Sequence, residues 1–264
     1  MITGANTGVG RATAEALASP GTHLVLACRS RARAEAVLAS IGGRARADVV
    51  ELELGDLASV RRAAGEIAAL APRIDALINN AGVGGARGVT RDGFELAFGV
   101  NHLGHYLLTR LLLHRCARVV HVTSGSHERA RGLDFEALRR PTRSLTGLPE
   151  YAVSKLCTML FHHELARRGV FSVAADPGDV ASDGWRHVPW PIRPLLTCRM
   201  RVPAEGARTS VQCATEASIV PGRLYHDGRE RAPSERSLDP ELARELLARC
   251  DAWVGVPDRV GAAA

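Results

Sequence analysis

Tyr151 and Lys155, in the segment Tyr151-Ala152-Val153-Ser154-Lys155, are the residues best suited to chemistry. Positions i and i+4 share one face of a helix, so the phenol and the ammonium lie side by side. A phenol ionises near pH ~10 when unperturbed. A neighbouring positive charge favours the phenolate, so this pair could exchange a proton with a bound oxygen near neutral pH. Of the 34 basic residues, Lys155 is the only lysine. A compact ammonium on a slim stem has no substitute in a guanidinium, so its retention at this spacing supports a chemical role. Ser124 closes the apolar run Val119-Val120-His121-Val122-Thr123, at a position where a hydroxyl could hold a substrate oxygen toward the phenol. Thr123 and Ser126 compete with it for that part. Taken alone, Tyr-x-x-x-Lys also describes an ordinary surface pair, so the surrounding elements decide.

The first of these elements is the glycine loop Thr3-Gly4-Ala5-Asn6-Thr7-Gly8-Val9-Gly10. Its glycines permit a tight turn and close backbone approach, and the helix that follows offers free N–H groups to a pyrophosphate. Gly4, Asn6, Thr7, Gly8, Val9 and Gly10 are the candidate contacts. The spacing is Gly-x-x-x-Gly-x-Gly, not Gly-x-Gly-x-x-Gly. The next strand ends Ala27-Cys28-Arg29-Ser30. It lacks the carboxylate that would bind a ribose 2′-hydroxyl, and its guanidinium suits a 2′-phosphate. NADP(H) is therefore the expected cofactor, with Arg29 and Ser30 at its phosphate and Arg11 as a second cation; a plain surface arginine is the other reading of Arg29. Asp56-Leu57 could receive an adenine amino group, or Asp56 could cap a helix. Asn80, Ala81 and Gly82, in Asn79-Asn80-Ala81-Gly82, either line the cofactor or form a polar turn.

Short apolar runs alternate with longer amphipathic ones. Strands are expected over 22–28, 48–54, 74–79, 118–124, 170–175 and 222–226, with helices over 10–19, 31–40, 58–70, 92–114, 151–168, 204–215 and 240–254. Near-continuous apolar strands alternating with helices predict an α/β fold: a doubly wound, Rossmann-type parallel sheet, helices on both faces, strand order 3-2-1-4-5-6-7. No linker, repeat or low-complexity tract divides the chain, so residues 1–264 read as one domain. Only Met1 and Ile2 precede Thr3, so the first strand is either short or continued upstream, and a chain extended upstream is expected to melt higher.

Composition removes other classes. A net charge of +6 could suit an anionic partner, but the arginines are scattered and aromatics are only 4%, so no nucleic-acid surface is expected. The six cysteines form no Cys-x-x-Cys pair, which reads as reduced thiols in a cytoplasmic protein. No apolar run is long enough for a membrane span, and no signal peptide precedes the glycine loop. His162-His163-Glu164 is not a zinc-binding His-Glu-x-x-His, so no metal site is expected.

In order along the chain, Thr3–Gly10, Asn79–Gly82, Asn101, Ser124, Tyr151, Lys155 and Pro177-Gly178 resemble the short-chain dehydrogenase/reductase superfamily over nearly the whole sequence. The resemblance implies an NADP(H)-dependent enzyme interconverting a carbonyl and an alcohol. Ser124, Tyr151, Lys155 and Asn101 would be catalytic, the last through a water that relays protons to the lysine. Tyr151, Lys155, Pro177, Gly178 and Val180 would also border the cofactor. Ala27-Cys28-Arg29, Asn101-His102-Leu103-Gly104-His105, Ser154-Lys155-Leu156 and Gly222–Asp227 are similar to the retinol-dehydrogenase-like branch, although light-dependent protochlorophyllide reductase also carries alanine-cysteine-arginine. Asp176 stands where that branch commonly has histidine, and Ala181-Ser182-Asp183-Gly184 replaces a threonine-containing continuation. Several bacterial relatives serve secondary metabolism, which suggests a biosynthetic ketoreductase. Relatives also form homodimers or homotetramers through the helices equivalent to 92–114 and 151–168.

The segment 180–215 is expected to form a substrate lid, with Trp185, Trp190, Pro189, Pro191 and Pro194 suiting a hydrophobic small molecule or facing a partner. Two other functions are weighed: an NADP-dependent epimerase or dehydratase, and a non-catalytic NADP(H) sensor, which would have no need of Ser124, Tyr151 and Lys155.

Overall fold

The computed structural model describes residues 1–180 and 200–257. Eight strands, β1 (Ile2–Thr3), β2 (His23–Cys28), β3 (Arg46–Glu51), β4 (Leu77–Asn79), β5 (Val119–Val122), β6 (Ser172–Asp176), β7 (Leu224–His226) and β8 (Arg229–Arg231), form one sheet. Its order is β3-β2-β1-β4-β5-β6-β7-β8. All neighbours are parallel except β7 and β8. The doubly wound order expected from the sequence thus holds through seven strands. Although short, β1 is central: Ile2 pairs with Leu26 on one side and Ile78 on the other.

The eighth strand was hidden by its composition. Arg229-Glu230-Arg231 reads as solvated charge, and charge is also how an edge strand resists further pairing. The overlooked signal is Asp227-Gly228, where φ is 51° and 74°. Two successive left-handed residues make the tight turn that joins antiparallel strands.

Successive side chains of a strand point to opposite faces, and here both faces are apolar. Val25 and Ala27 of β2 join one core, whereas Leu24, Leu26 and Cys28 join the other. The first core is covered by α3 (Leu57–Leu70), α4 (Leu96–Phe98), α5 (Gly104–Leu112), α6 (Leu148–Arg167) and, in the last described stretch, α8 (Pro240–Val254). The second lies under α1 (Gly8–Leu17), α2 (Arg31–Ile41) and α7 (Pro203–Thr215).

The helix expected over 92–114 is interrupted. Gly93 has φ 81°, and the Asp92 carboxylate accepts Leu57 N–H at 2.9 Å. Helix begins only at Leu96, with Glu95 as its cap, and a π-helical turn, Gly99–Leu103, separates α4 from α5. Extra-wide turns of this kind often mark functional positions, and this one carries Asn101.

Helix α6 is enclosed by its own chain. From Ala152 to Leu165 every residue except Val153 is buried. The α8 layer packs against this helix, and α8 is also tied to α5: Tyr106 Oη donates to Asp251 Oδ1 at 2.6 Å, and buried Arg110 pairs with the same carboxylate. Among the described residues, most of α5 and α6, the helices expected to pair subunits, is buried beneath α8 and the core. Among the described residues no helix is long and apolar enough to cross a membrane.

Candidate active site

The glycine loop, the C-terminal ends of β2 to β6 and the start of α6 enclose a cleft of about 1030 Å³. Ligands of open α/β sheets sit at this end of the strands. Gly4 (φ 66°) and Gly8 (φ 55°) hold conformations that side chains resist. Gly4, Asn6, Thr7, Gly8 and Val9 line the cleft. Gly10 lies beneath them: a Cβ there would stand 2.3 Å from Asn80 Nδ2 and 2.4 Å from Gly4 O. The first turn of α1 carries no acidic residue, so its dipole is not neutralised there. Backbone cradle and helix end together fit a dinucleotide pyrophosphate.

The loop is fastened by Thr3. Its Oγ1 accepts the N–H groups of Asn80 and Ala81, both at 2.9 Å, and lies 2.8 Å from His105 Nε2. Asn80 Nδ2 donates to Thr3 O at 2.8 Å. Asn80, Ala81 and Gly82 all border the cleft, so this polar turn both braces the loop and faces the ligand space.

At the adenosine end, Arg29 and Ser30 line the cleft. Ser30 also caps α2 through Arg33 N–H. Arg33, one turn into that helix and absent from the sequence-based set, lines the cleft as well. Arg11 does not: it pairs with Glu15 at 2.7 Å. Arg29 Nη1 lies 3.7 Å from Glu53 Oε2, which approaches from beyond β3. Asp56 takes the capping role, its Oδ1 accepting Ala58 and Ser59 N–H at 2.9 and 3.1 Å. Neither Asp56 nor Leu57 is among the cleft-lining residues.

Tyr151, Lys155 and Ser124 meet at the floor. The left-handed Gly147 (φ 65°) starts α6, where a Cβ would come within 2.6 Å of Ala86 O. Tyr151 therefore sits in the first turn and Lys155 one turn deeper. Lys155 Nζ donates to Val122 O at 2.9 Å and lies 5.7 Å from the Tyr151 ring centroid. A Cβ on Gly82 would reach within 3.9 Å of the same Nζ. Burial lowers the Lys155 ammonium to about 8, with Asp176 opposing. Burial pushes the Tyr151 phenol up to about 12; a hydrogen bond with Ser124 offsets part of the rise, and Asp176 and Asp179 add to it. In the protein without cofactor, burial is thus the largest influence on the phenol. A phenol held protonated is a proton donor in waiting.

Asn101 is buried rather than cleft-lining. Its Oδ1 accepts Val83 N–H at 2.8 Å, while Nδ2 donates to Val83 O at 3.0 Å and to Ser154 Oγ at 2.9 Å. Ser154 in turn donates to Tyr151 O at 2.7 Å. The side chain clamps the turn after Gly82 to the helix bearing the Tyr–Lys pair. Its main-chain carbonyl accepts His105 Nδ1–H at 3.0 Å. Pro177, Gly178 and Val180 line the opposite wall. Ser182, Trp185, Trp190, Pro189, Pro191 and Pro194, with much of the segment expected to form a lid, lie outside the described residues.

The family model for short chain dehydrogenases matches residues 1–132. Dehydrogenase/reductase SDR family member 13 of Bos taurus is 44% identical over 93% of this chain and 70% of its own length. Human retinol dehydrogenase 13 is 36% identical, over 97% and 84%. The crystal structure of an uncharacterized protein from Mycobacterium Paratuberculosis, 33% identical, superposes with a TM-score of 0.79 over 97% of this chain and 92% of that one. The chain belongs to the short-chain dehydrogenase/reductase family, in its retinol-dehydrogenase-like group, and is an oxidoreductase of the carbonyl/alcohol type.

Proposed function

We propose that the protein reduces a carbonyl on an apolar small molecule with NADPH, Tyr151 acting as the proton donor. The observation that carries this reading is the convergence of Tyr151, Ser124 and Lys155 on the floor of the cleft that the glycine loop opens. NADPH bound there would supply hydride to the carbonyl carbon. The chain's own groups do the remaining work. Ser124 holds the substrate oxygen, and the protonated phenol gives that oxygen its proton as negative charge develops. Lys155, fixed by Val122 O, keeps a positive charge one turn below the phenol and limits the cost of the phenolate left behind. Burial raises the phenol, so it is protonated at neutral pH and available as the proton donor.

Preference for NADP(H) is supported by Arg29 and Arg33 at the adenosine end and by the lack of a carboxylate closing β2. Retinol dehydrogenase 13 is named for an apolar alcohol, and Trp185 and Trp190, expected from the sequence to belong to a substrate lid, would suit a substrate of that kind. A biosynthetic ketoreductase of cytoplasmic location is the narrower form of the proposal. The reading is tested by NADPH consumption against a panel of apolar aldehydes and ketones. Turnover that is lost in Tyr151→Phe while NADPH still binds is expected. Turnover retained in that variant refutes the role of the phenol, and binding without turnover on any carbonyl favours the sensor.

A further inference from the structure

Asp176 and Arg231 belong to none of the motifs that define the cleft, yet both line it. Asp176 ends β6, immediately before Pro177-Gly178, and its side chain is 3% exposed. Its Oδ1 accepts Gly178 N–H at 2.9 Å and its Oδ2 accepts Arg231 Nη1–H at 2.9 Å. Arg231 arrives on β8, opposite Leu224. Its Nη2 donates to Glu128 Oε1 at 2.7 Å, in the turn Gly125–Arg129 that follows Ser124. A Cβ on Gly125 would lie 3.4 Å from Arg231 Nη1 and 3.7 Å from Asp176 Oδ2, so the guanidinium rests against that turn. One side chain thus joins the end of β6, the Ser124 turn and the antiparallel edge strand.

A buried carboxylate calls for a hydrogen-bonded, oppositely charged partner, and β8 delivers one in Arg231. We propose that the Asp176–Arg231 pair is a positioning element of the catalytic site, locking the Ser124 turn to the Pro177-Gly178 loop and setting the electrostatic field at Lys155 and Tyr151. The proposal rests on the oxidoreductase reading of the cleft. The charged groups around Asp176 are Arg231 on β8, His226 on β7 with Nδ1 3.7 Å from Oδ2, Lys155 and Tyr151 on α6, Arg201, and Glu128 through Arg231. Asp179 faces Tyr151 as well. A negative charge here favours the ammonium and disfavours the phenolate, which is the direction in which Asp176 acts on both groups. It keeps the donor protonated and its neighbour charged.

Because Lys155 is the only lysine, its ionisation can be read without turnover. Trace acetylation of the full-length protein by acetic anhydride across pH, quantified on the Lys155 peptide, gives the apparent pKa of the amine. Asp176→Asn is expected to lower it by roughly one unit, and to move the phenol limb of the kcat profile downward as well. Arg231→Gln is expected to cut kcat at least tenfold with a smaller change in KM, and Arg231→Lys to recover part of the loss. The proposal is overturned if Asp176→Asn leaves the Lys155 pKa in place, or if Arg231→Gln lowers only the melting temperature. Turnover surviving in Tyr151→Phe would instead refute the catalytic reading, and the acetylation result would still stand.

Discussion

Lowering the pH from 7.5 to 5 should destabilise this protein by several kcal/mol through its buried histidines. His102, His105, His121, His162 and His163 are all buried on α5, β5 and α6 or the π-helical turn beside them. The rings of His121 and His162 are 6.0 Å apart, and those of His162 and His163 are 4.6 Å apart. Burial, reinforced by neighbouring positive charge, lowers His102 and His121 to about 3 and His105 and His163 to about 4, and drives His162 down too. The unfolded chain takes up protons on these rings below pH ~6.5 while the folded chain does not, so stability falls as pH drops from there toward 3–4. At pH 5 each ring costs about 2 kcal/mol. The four rings His102, His105, His121 and His163 together cost roughly 8 kcal/mol, or about 4 if half is lost to mutual coupling, against a typical total of 5–15. Glu95, whose carboxyl burial raises, offsets a small part. With a urea slope of about 3 kcal/mol/M, the unfolding midpoint should fall by roughly 1.3–2.7 M between pH 7.5 and 5. His163→Gln should make the fall shallower. A midpoint that does not move over this range would refute the claim that these rings stay neutral.

The cofactor end yields three further expectations. Arg29→Asp should weaken NADPH binding by about 10- to 100-fold and leave NADH little changed, since it removes a charge-assisted contact and adds repulsion; an unchanged ratio in fluorescence titration contradicts the 2′-phosphate assignment. Gly10→Ala should lower both the melting temperature and NADPH affinity, because its Cβ would meet Asn80 and the Gly4 carbonyl; wild-type values of both would show that the loop yields freely. Asp56→Ala should cost about 1 kcal/mol of stability as a lost helix cap, with NADPH affinity within twofold of wild type. A larger loss of affinity would restore the adenine contact to Asp56.

Much of the fold was legible because burial on both sheet faces leaves near-continuous apolar strands such as His23–Cys28. Thr3–Gly10, Ser124, Tyr151 and Lys155 stood out because they occur in order along alternating strands and helices, and the structure brings them to one cleft. Local reading failed where distant pieces decide. Arg33 looks like any helix arginine until α2 is set at the rim, and Asp56 is ambiguous until its Oδ1 is seen to accept two N–H groups. Asn101 sits in a π-helical turn that a regular helical pattern conceals. Asp176 and Arg231 are 55 residues apart, and their contact depends on an edge strand whose charges disguise it. The rise of the Tyr151 phenol is likewise a burial effect, which residue spacing cannot reveal.

Transfer of deuterium from NADPH deuterated at the nicotinamide C4 to an apolar ketone, followed by mass spectrometry, tests the central claim most directly. Label on the new carbinol carbon with the wild-type protein, and none with a Tyr151→Phe variant that still binds NADPH, is the predicted result. No label on any carbonyl substrate, or equal labelling by the variant, would contradict it.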